Sequence, residues 1–218
     1  MNLYQIASIL GFSIVIAGVL GVVRYKIIDS MYYPFIFIVW LATVNHVLSL
    51  LMVRYFHSNA VNANVYVLLE SAGYVFLFKN AGLFKRRSNT HFLLLILLLM
   101  VWVLDNIILH SITRPNAIFR IFSSFLLLIL AVEQIVALLP RTGIPLFTHA
   151  LFCICLGMIF YFTFKSCIEV FFLIQKDISV TLQVKLYALL VYLNFFVNLF
   201  FAWAILWIPR KKPYLLLR

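Results

Sequence analysis

The feature that most constrains the fold is a long run of mostly apolar residues, Asn64 to Phe84, followed at once by the cations Lys85, Arg86 and Arg87. A helix needs roughly 20 apolar residues to cross the hydrocarbon core of a bilayer. Cations just beyond such a helix are typical of a cytoplasmic loop. The run also contains one acid, Glu70. It therefore predicts a membrane-spanning helix, an orientation and one candidate functional residue.

The rest of the chain repeats this apolar pattern. Of its 218 residues, 66% are hydrophobic and 11% are charged, and a soluble domain of this size cannot bury so much apolar surface. We predict an all-α membrane protein with a single domain, residues 1–218, folded as a bundle of seven transmembrane helices. The predicted helices cover about residues 3–23, 32–55, 64–84, 91–110, 117–139, 145–173 and 182–208.

The distribution of Lys and Arg predicts the orientation. With the N-terminus outside, the cytoplasmic side receives eleven of these cations and the outer side five, and Lys165 lies within a span. Because cytoplasmic loops carry the excess of Lys and Arg, we predict an outside N-terminus and a cytoplasmic C-terminus. The short loops contain no Asn-x-Ser/Thr glycosylation acceptor, which favours a bacterial inner membrane.

The formal net charge of +11 does not indicate a nucleic-acid-binding protein. The cations lie at predicted helix ends, where they fix topology and contact anionic lipid headgroups. We therefore expect the lipid bilayer as one partner and no nucleic acid. We also expect a protein partner in the membrane or the cytoplasm, and a second copy of the chain is an alternative partner.

Polar residues inside the predicted helices indicate where a functional site would lie. A charge at the bilayer centre costs roughly 2.5–3.5 kcal/mol on insertion scales, and such groups normally face the bundle interior. In the predicted orientation, five helices place polar groups between the membrane centre and the outer surface. The candidate ligand-binding residues are Asn45, His46, Tyr66, Glu70, Asp105, Lys165, Glu169 and Asn194.

The spacing of these residues suggests which of them pair. Lys165 and Glu169 are four residues apart and share one helix face, so they can form an ion pair. Glu70 is the alternative partner for Lys165, and Tyr66 lies one turn from Glu70. We infer a polar cavity that opens outward, walled by Phe, Tyr and Leu. The alternative is a set of interhelical hydrogen bonds and ion pairs that only hold the bundle together.

No motif for catalysis or metal binding accompanies these residues. The sequence contains no His-x-x-x-His pair and no Gly-x-Ser-x-Gly, so we predict no catalytic residue, metal or cofactor. The working prediction is a membrane sensor or accessory subunit that binds its ligand from outside and acts through a partner protein. A transporter of small solutes or ions is the first alternative, and an intramembrane lipid-modifying enzyme is the second.

One local pattern adds a resemblance. Asn62, Asn64, Tyr66 and Glu70 form an Asn-x-Tyr-x-x-x-Glu pattern. Together with the overall layout, this pattern resembles the small uncharacterised seven-span proteins of bacterial inner membranes. The resemblance covers most of the chain and implies the seven-helix fold. It implies no activity and no site residue.

Overall fold

The computed structural model describes residues 3–85, 89–114, 116–139, 145–174 and 179–211. Short 3-10 segments occur at Ser30–Tyr32 and Leu146–Thr148, and a π-helical segment occurs at Leu104–Leu109. No β-strand occurs in this described part of the chain. Its α-helices are α1 (Leu3–Gly11), α2 (Ser13–Arg24), α3 (Tyr33–Phe56), α4 (Ala60–Asn80), α5 (Thr90–Val103), α6 (Ala117–Leu138), α7 (Ala150–Ile174) and α8 (Val180–Leu206).

Seven helical segments are long and apolar enough to cross a membrane. Helices α1 and α2 together form the first of them, and α5 continues into the π-helical segment to form the fourth. Large apolar side chains cover the outer surfaces; Val23 and Phe56, for example, are 71% and 72% exposed. Such surfaces suit lipid and not water. The prediction of seven spanning helices is confirmed, and the fold is that of a multi-pass helical membrane protein.

The observed helix bounds differ most from the predicted ones in two places. The helix predicted over 64–84 is α4, which begins at Ala60 and ends at Asn80. Gly82 ends it, because its φ of 83° is left-handed and the Leu83 amide donates to the carbonyl of Phe78 at 3.0 Å, as in a Schellman motif. The helix predicted over 145–173 begins only at Ala150, after the 3-10 turn. The second, fifth and seventh helices agree within two residues.

Five spans surround a common interior. The first span, α1–α2, packs against α3 and α8, α3 packs against α4, and α7 packs against α8. Tyr74 of α4 and Phe162 of α7 close the circle with rings packed edge to face, 5.9 Å between centroids. We call this arrangement the five-span ring. Helix α6 packs outside it against α4 and α7, and α5 packs against α4.

One face of the bundle contains the turn from His57 to Asn59, and we call it the α3–α4 face. Asn64, at the start of α4, joins this turn to the region before α6. Its Nδ2 donates to the carbonyls of Ile112 at 3.0 Å and Arg114 at 2.8 Å. Its own carbonyl accepts from the indole of Trp102 at 2.9 Å. The start of α4 and the segment that precedes α6 therefore lie together on this face.

The opposite face, which we call the α2–α3 face, contains the turn 25–29. The Asp29 amide donates to the carbonyl of Pro209 at 2.9 Å, and the Lys211 amide donates to that of Ile27 at 2.8 Å. The segment after α8 is therefore paired with the turn after α2, so the first and last spans are tied together on this face.

Arg24, the last residue of α2, strengthens this tie. Its guanidinium donates to the carbonyl oxygens of Ile205 at 2.6 Å and Ile208 at 3.0 Å, and also to that of Leu206. The last carbonyls of a helix have no partner within the helix, and cations near that end interact favourably with its dipole. Arg24 thus acts as a tertiary cap for α8.

Candidate functional site

Two adjoining cavities lie inside the five-span ring. The inner cavity has a volume of about 140 Å³ and the outer cavity about 420 Å³. Gly11, His46, Tyr161 and Asn194 line both, so the two cavities meet at these side chains. The outer cavity extends to Asn59, in the turn of the α3–α4 face. The ring therefore contains a polar space that begins at one face of the bundle and continues into its interior.

The structure brings seven of the eight candidate ligand-binding residues to these cavities. The inner cavity is lined by Asn45, His46, Tyr66, Glu70 and Asn194. The outer cavity is lined by Lys165 and Glu169, and also by His46 and Asn194. Asp105 lies elsewhere. The grouping agrees with the expected cavity, and ligand binding by these residues stays a prediction.

Glu70 is a buried acid whose carboxyl group is only half satisfied. Its side chain is 5% exposed and lines the inner cavity. Oε1 accepts a hydrogen bond from the hydroxyl of Tyr66 at 2.9 Å, whereas Oε2 has no hydrogen-bond partner. A buried carboxyl oxygen without a partner costs free energy. Glu70 is therefore a residue of the cavity wall whose buried carboxyl group has hydrogen-bonding capacity left over.

Lys165 is 8% exposed and lines the outer cavity. Its Nζ lies 5.4 Å from the ring centroid of Tyr161 and 5.7 Å from that of Phe162, at cation–π distance. No ion pair among the described residues includes Lys165. Lys165 and Glu169 therefore do not form the ion pair that their spacing suggested, and Glu70 is near enough to Lys165 for their charges to interact without an ion-pair contact.

Glu169 has a different cation as its partner. Arg120 of α6 places Nη1 3.2 Å from Oε1 of Glu169, and its Nη2 donates to Oδ1 of Asn64 at 3.3 Å. A guanidinium can bind two acceptors at fixed angles, which an ammonium does less well. Because α6 packs against both α4 and α7, Arg120 reaches Glu169, and Lys165 forms no ion pair with it.

A break in the first span positions His46. The Phe12 amide donates to the carbonyl of Ile9 at 3.2 Å, not to that of Ser8 four residues back as in a regular α-helix. The carbonyl of Ser8 lies 3.2 Å from Nε2 of His46, and the rings of Phe12 and His46 meet edge to face at 4.8 Å. Gly11 makes this approach possible, because it has no side chain.

Gly11→Ala is expected to lower the free energy of unfolding by about 1–3 kcal/mol, the usual cost of overpacking. A Cβ at this position would lie 2.2 Å from Cε1 of His46, so the imidazole would have to leave the Ser8 carbonyl. Unfolding of the purified protein in detergent would measure the loss. Gly18→Ala in the same span is the control, because its Cβ would lie 3.0 Å from Thr43. Equal losses for the two variants would contradict the special role of Gly11.

Asp105 was expected in the pocket, but the structure gives it a capping contact. It is 0% exposed and lies in the π-helical segment. Its Oδ2 accepts from the amide of Phe119 at 2.7 Å, and its Oδ1 lies 2.9 Å from Nδ1 of His110. The first amides of a helix lack partners within it and attract negative charge. Asp105 therefore caps the start of α6, and it lines neither cavity.

Several residues of the cavities were not among the candidates. Tyr74 follows Glu70 by four residues, and Tyr161 precedes Lys165 by four, so their helical spacing was a usable signal. Asn198 follows the candidate Asn194 by four residues and gave the same signal. It lines the inner cavity, and its Nδ2 donates to the hydroxyl of Ser13 at 2.9 Å, a contact that depends on how α8 packs against α2.

No known family model, curated protein or solved structure matches the chain. Within the ranges that the structure describes, no three side chains of His, Cys, Asp or Glu form a group that could hold a metal ion. Any function must therefore follow from the chemistry of the site itself. What the site offers is hydrogen bonding and charge: one unpartnered carboxyl oxygen, one ammonium outside any ion pair, and several amides and hydroxyls around a polar space.

Proposed function

We propose that the protein is a sensor or accessory subunit of a bacterial inner membrane. It binds a small polar ligand in the two cavities from the non-cytoplasmic side and acts through a partner protein. The observation that carries this proposal is Glu70, a buried acid with one unpartnered carboxyl oxygen. It lines a cavity that adjoins a larger one at the α3–α4 face. A costly group of this kind inside a membrane indicates a functional site.

The charge distribution supports the orientation. The α2–α3 face carries more described cations than the α3–α4 face, and the cation-rich face is normally cytoplasmic. The α3–α4 face, to which the outer cavity extends, would then be outside. The cations are Arg24, Lys26, Lys79, Lys85, Arg210 and Lys211 on the first face, and Arg54, Arg114, Arg120 and Lys185 on the second. Of the remaining cations used in the sequence prediction, Arg86, Arg87, Arg141, Lys176, Lys212 and Arg218 lie outside the described residues.

A route from the cavities to a partner is also available. Residues of α8 line both cavities, and the end of the same helix is bound by Arg24 at the opposite face. A ligand that binds more tightly when α8 is in one of two positions would therefore favour that position and change the contacts at the opposite face. The size of the shift is set by the difference between the affinities for the two positions. The exposed cations there, such as Lys26 and Arg210, offer a surface to an acidic partner protein.

Cysteine labelling in intact cells tests both the orientation and the access of water to the outer cavity. In a Cys167→Ser background, we expect Ser49→Cys, which lines the outer cavity, to react with a charged thiosulfonate that does not cross membranes. We expect Lys26→Cys, at the α2–α3 face, to react only after permeabilisation. The reverse pattern would show an inverted bundle. A Ser49→Cys that resists the reagent even after permeabilisation would reject the open cavity.

Transport is the second candidate, because the first span is interrupted at Phe12 beside both cavities. Interrupted helices at a binding site are a mark of many secondary transporters. Uptake of a bound solute by proteoliposomes that contain this protein alone would favour transport over the sensor. Binding without uptake would favour the sensor, with uptake by empty liposomes as the baseline.

A further inference from the structure

We propose that the ligand is a small zwitterion whose amine binds Glu70 in the inner cavity and whose carboxylate binds Lys165 in the outer cavity. This inference rests on the proposed function and names the ligand class for the same site. One side chain is an acid and the other a base, and they line adjoining spaces. Their charges interact without an ion-pair contact between them in the described chain.

The inner cavity suits an amine. Oε2 of Glu70 lacks a donor, and a primary ammonium has three N–H groups. The inner wall also supplies Asn45 and Asn194 as further polar groups, and Tyr74 and Tyr161 as aromatic rings, whose faces attract cations. The volume of about 140 Å³ corresponds to only a few water molecules, since each occupies about 30 Å³ in the liquid. An ammonium on a short carbon chain fits this space, whereas a bulky headgroup does not.

The outer cavity suits a single negative charge. Lys165 contacts the faces of two aromatic rings and forms no ion pair with a described residue, which leaves its N–H groups available to an acceptor. Its neighbour Glu169 does not compete for it, because Arg120 neutralises that carboxylate. One available ammonium matches one carboxylate in charge, and a phosphate ester, with nearly twice the charge, would be left under-neutralised.

The geometry points to one ligand and not to two separate ions. His46, Tyr161 and Asn194 border both cavities, so a molecule seated at Glu70 passes directly into the space that Lys165 lines. A zwitterion also places an opposite charge beside each of the two residues. A ligand with a single charge does so at only one of them.

The test measures binding of matched probes to the purified full-length protein in nanodiscs by calorimetry. The probes are the ω-amino acids from glycine to 6-aminohexanoate, with butylamine and butyrate as analogues of 4-aminobutyrate that carry one charge each. Because chain length sets the distance between amine and carboxylate, we expect one or two members of the series to bind best. We expect the best member to bind about 10- to 100-fold more tightly than amines or acids of one charge. Each of these lacks one hydrogen bond to a charged group, and that loss corresponds to such a change in affinity.

Variants assign each end of the ligand. Glu70→Gln should weaken binding of the best ω-amino acid and of butylamine and leave butyrate unchanged. Lys165→Met should weaken the ω-amino acid and butyrate and leave butylamine unchanged. The controls are Glu133→Gln and Lys185→Met, the same substitutions at exposed positions of α6 and α8, and they should change nothing. Thermal unfolding of each variant without probe separates loss of binding from loss of folding.

Two results would overturn the zwitterion. In the first, butylamine binds as tightly as every ω-amino acid and Lys165→Met has no effect. The ligand would then be a simple amine, and the proposed sensor function would stand. In the second, no probe binds, although the Ser49→Cys variant is labelled from outside. This result would reject the zwitterion alone. Failure of that labelling as well would reject the proposed function itself.

Discussion

Arg24→Ala is expected to lower the free energy of unfolding by about 2–4 kcal/mol. Hydrogen bonds to charged groups are worth about 1.5–3 kcal/mol each, and the total is smaller than their sum because these bonds are only half-buried. The variant removes every donor that Arg24 gives to the end of α8, at Ile205, Leu206 and Ile208. It also loosens the contact between the first and last spans. Unfolding of the purified protein in detergent, followed by helical circular dichroism, would measure the change.

Lys26→Ala is the matched control for this experiment. Lys26 is exposed two residues further along the chain, and its replacement removes the same charge from the same face. Surface substitutions of this kind usually stay within about ±0.5 kcal/mol. Arg24→Lys should recover part of the loss, since one ammonium cannot reach all three carbonyls as the fork of a guanidinium does. Equal stability of Arg24→Ala and Lys26→Ala would contradict the capping role.

Asp105→Ala is the second substitution with a large expected effect, a loss of about 2–4 kcal/mol in the free energy of unfolding. The carboxylate of Asp105 is the acceptor for the Phe119 amide and for His110. Its removal leaves a buried amide without a partner, which costs about 1–3 kcal/mol. It also takes a negative charge from the start of α6, where the interaction with the helix dipole is worth roughly 0.3–1 kcal/mol, or more when partly buried.

Asp105→Asn separates these two contributions. The amide oxygen of Asn can still accept from Phe119 but carries no charge, so we expect a smaller loss than for alanine. Glu133→Ala, at an exposed position of α6, controls for loss of an acid from the bundle and should be nearly neutral. If Asp105→Ala instead abolishes ligand binding at unchanged stability, Asp105 belongs to the site and not to the cap.

The helices were predictable from the sequence because hydropathy alone determines which segments can cross a bilayer. The end of α4 was also readable in principle, since Gly82 is a typical residue for a helix C-terminus. The π-helical segment at Leu104–Leu109 was not, because its extra residue per turn has no marker in the local pattern. That segment buries both Asp105 and Asn106, and Asp105 caps α6 and does not line either cavity.

The grouping of Glu70, Lys165 and His46 around one space was predictable because buried polar groups in a membrane face the bundle interior. The hydrogen bond between Tyr66 and Glu70 also followed from their spacing of four residues. The pairing of Glu169 with Arg120 did not, because it depends on the packing of α6 against α7. Spacing within one helix thus predicted a bond inside that helix and could not predict a bond between helices.

The adjacency of the first and last spans has a consequence for biosynthesis. Chains are made from the N-terminus, so α1 and α2 leave the ribosome long before α8, which completes the cavity wall with Asn194 and provides the acceptors of Arg24. The wall of the two cavities is therefore incomplete until α8 is inserted. We expect a chain that stops before α8 to be unstable, because Arg24 would lose its acceptors and the polar groups of the earlier spans would lose the side of the bundle that covers them.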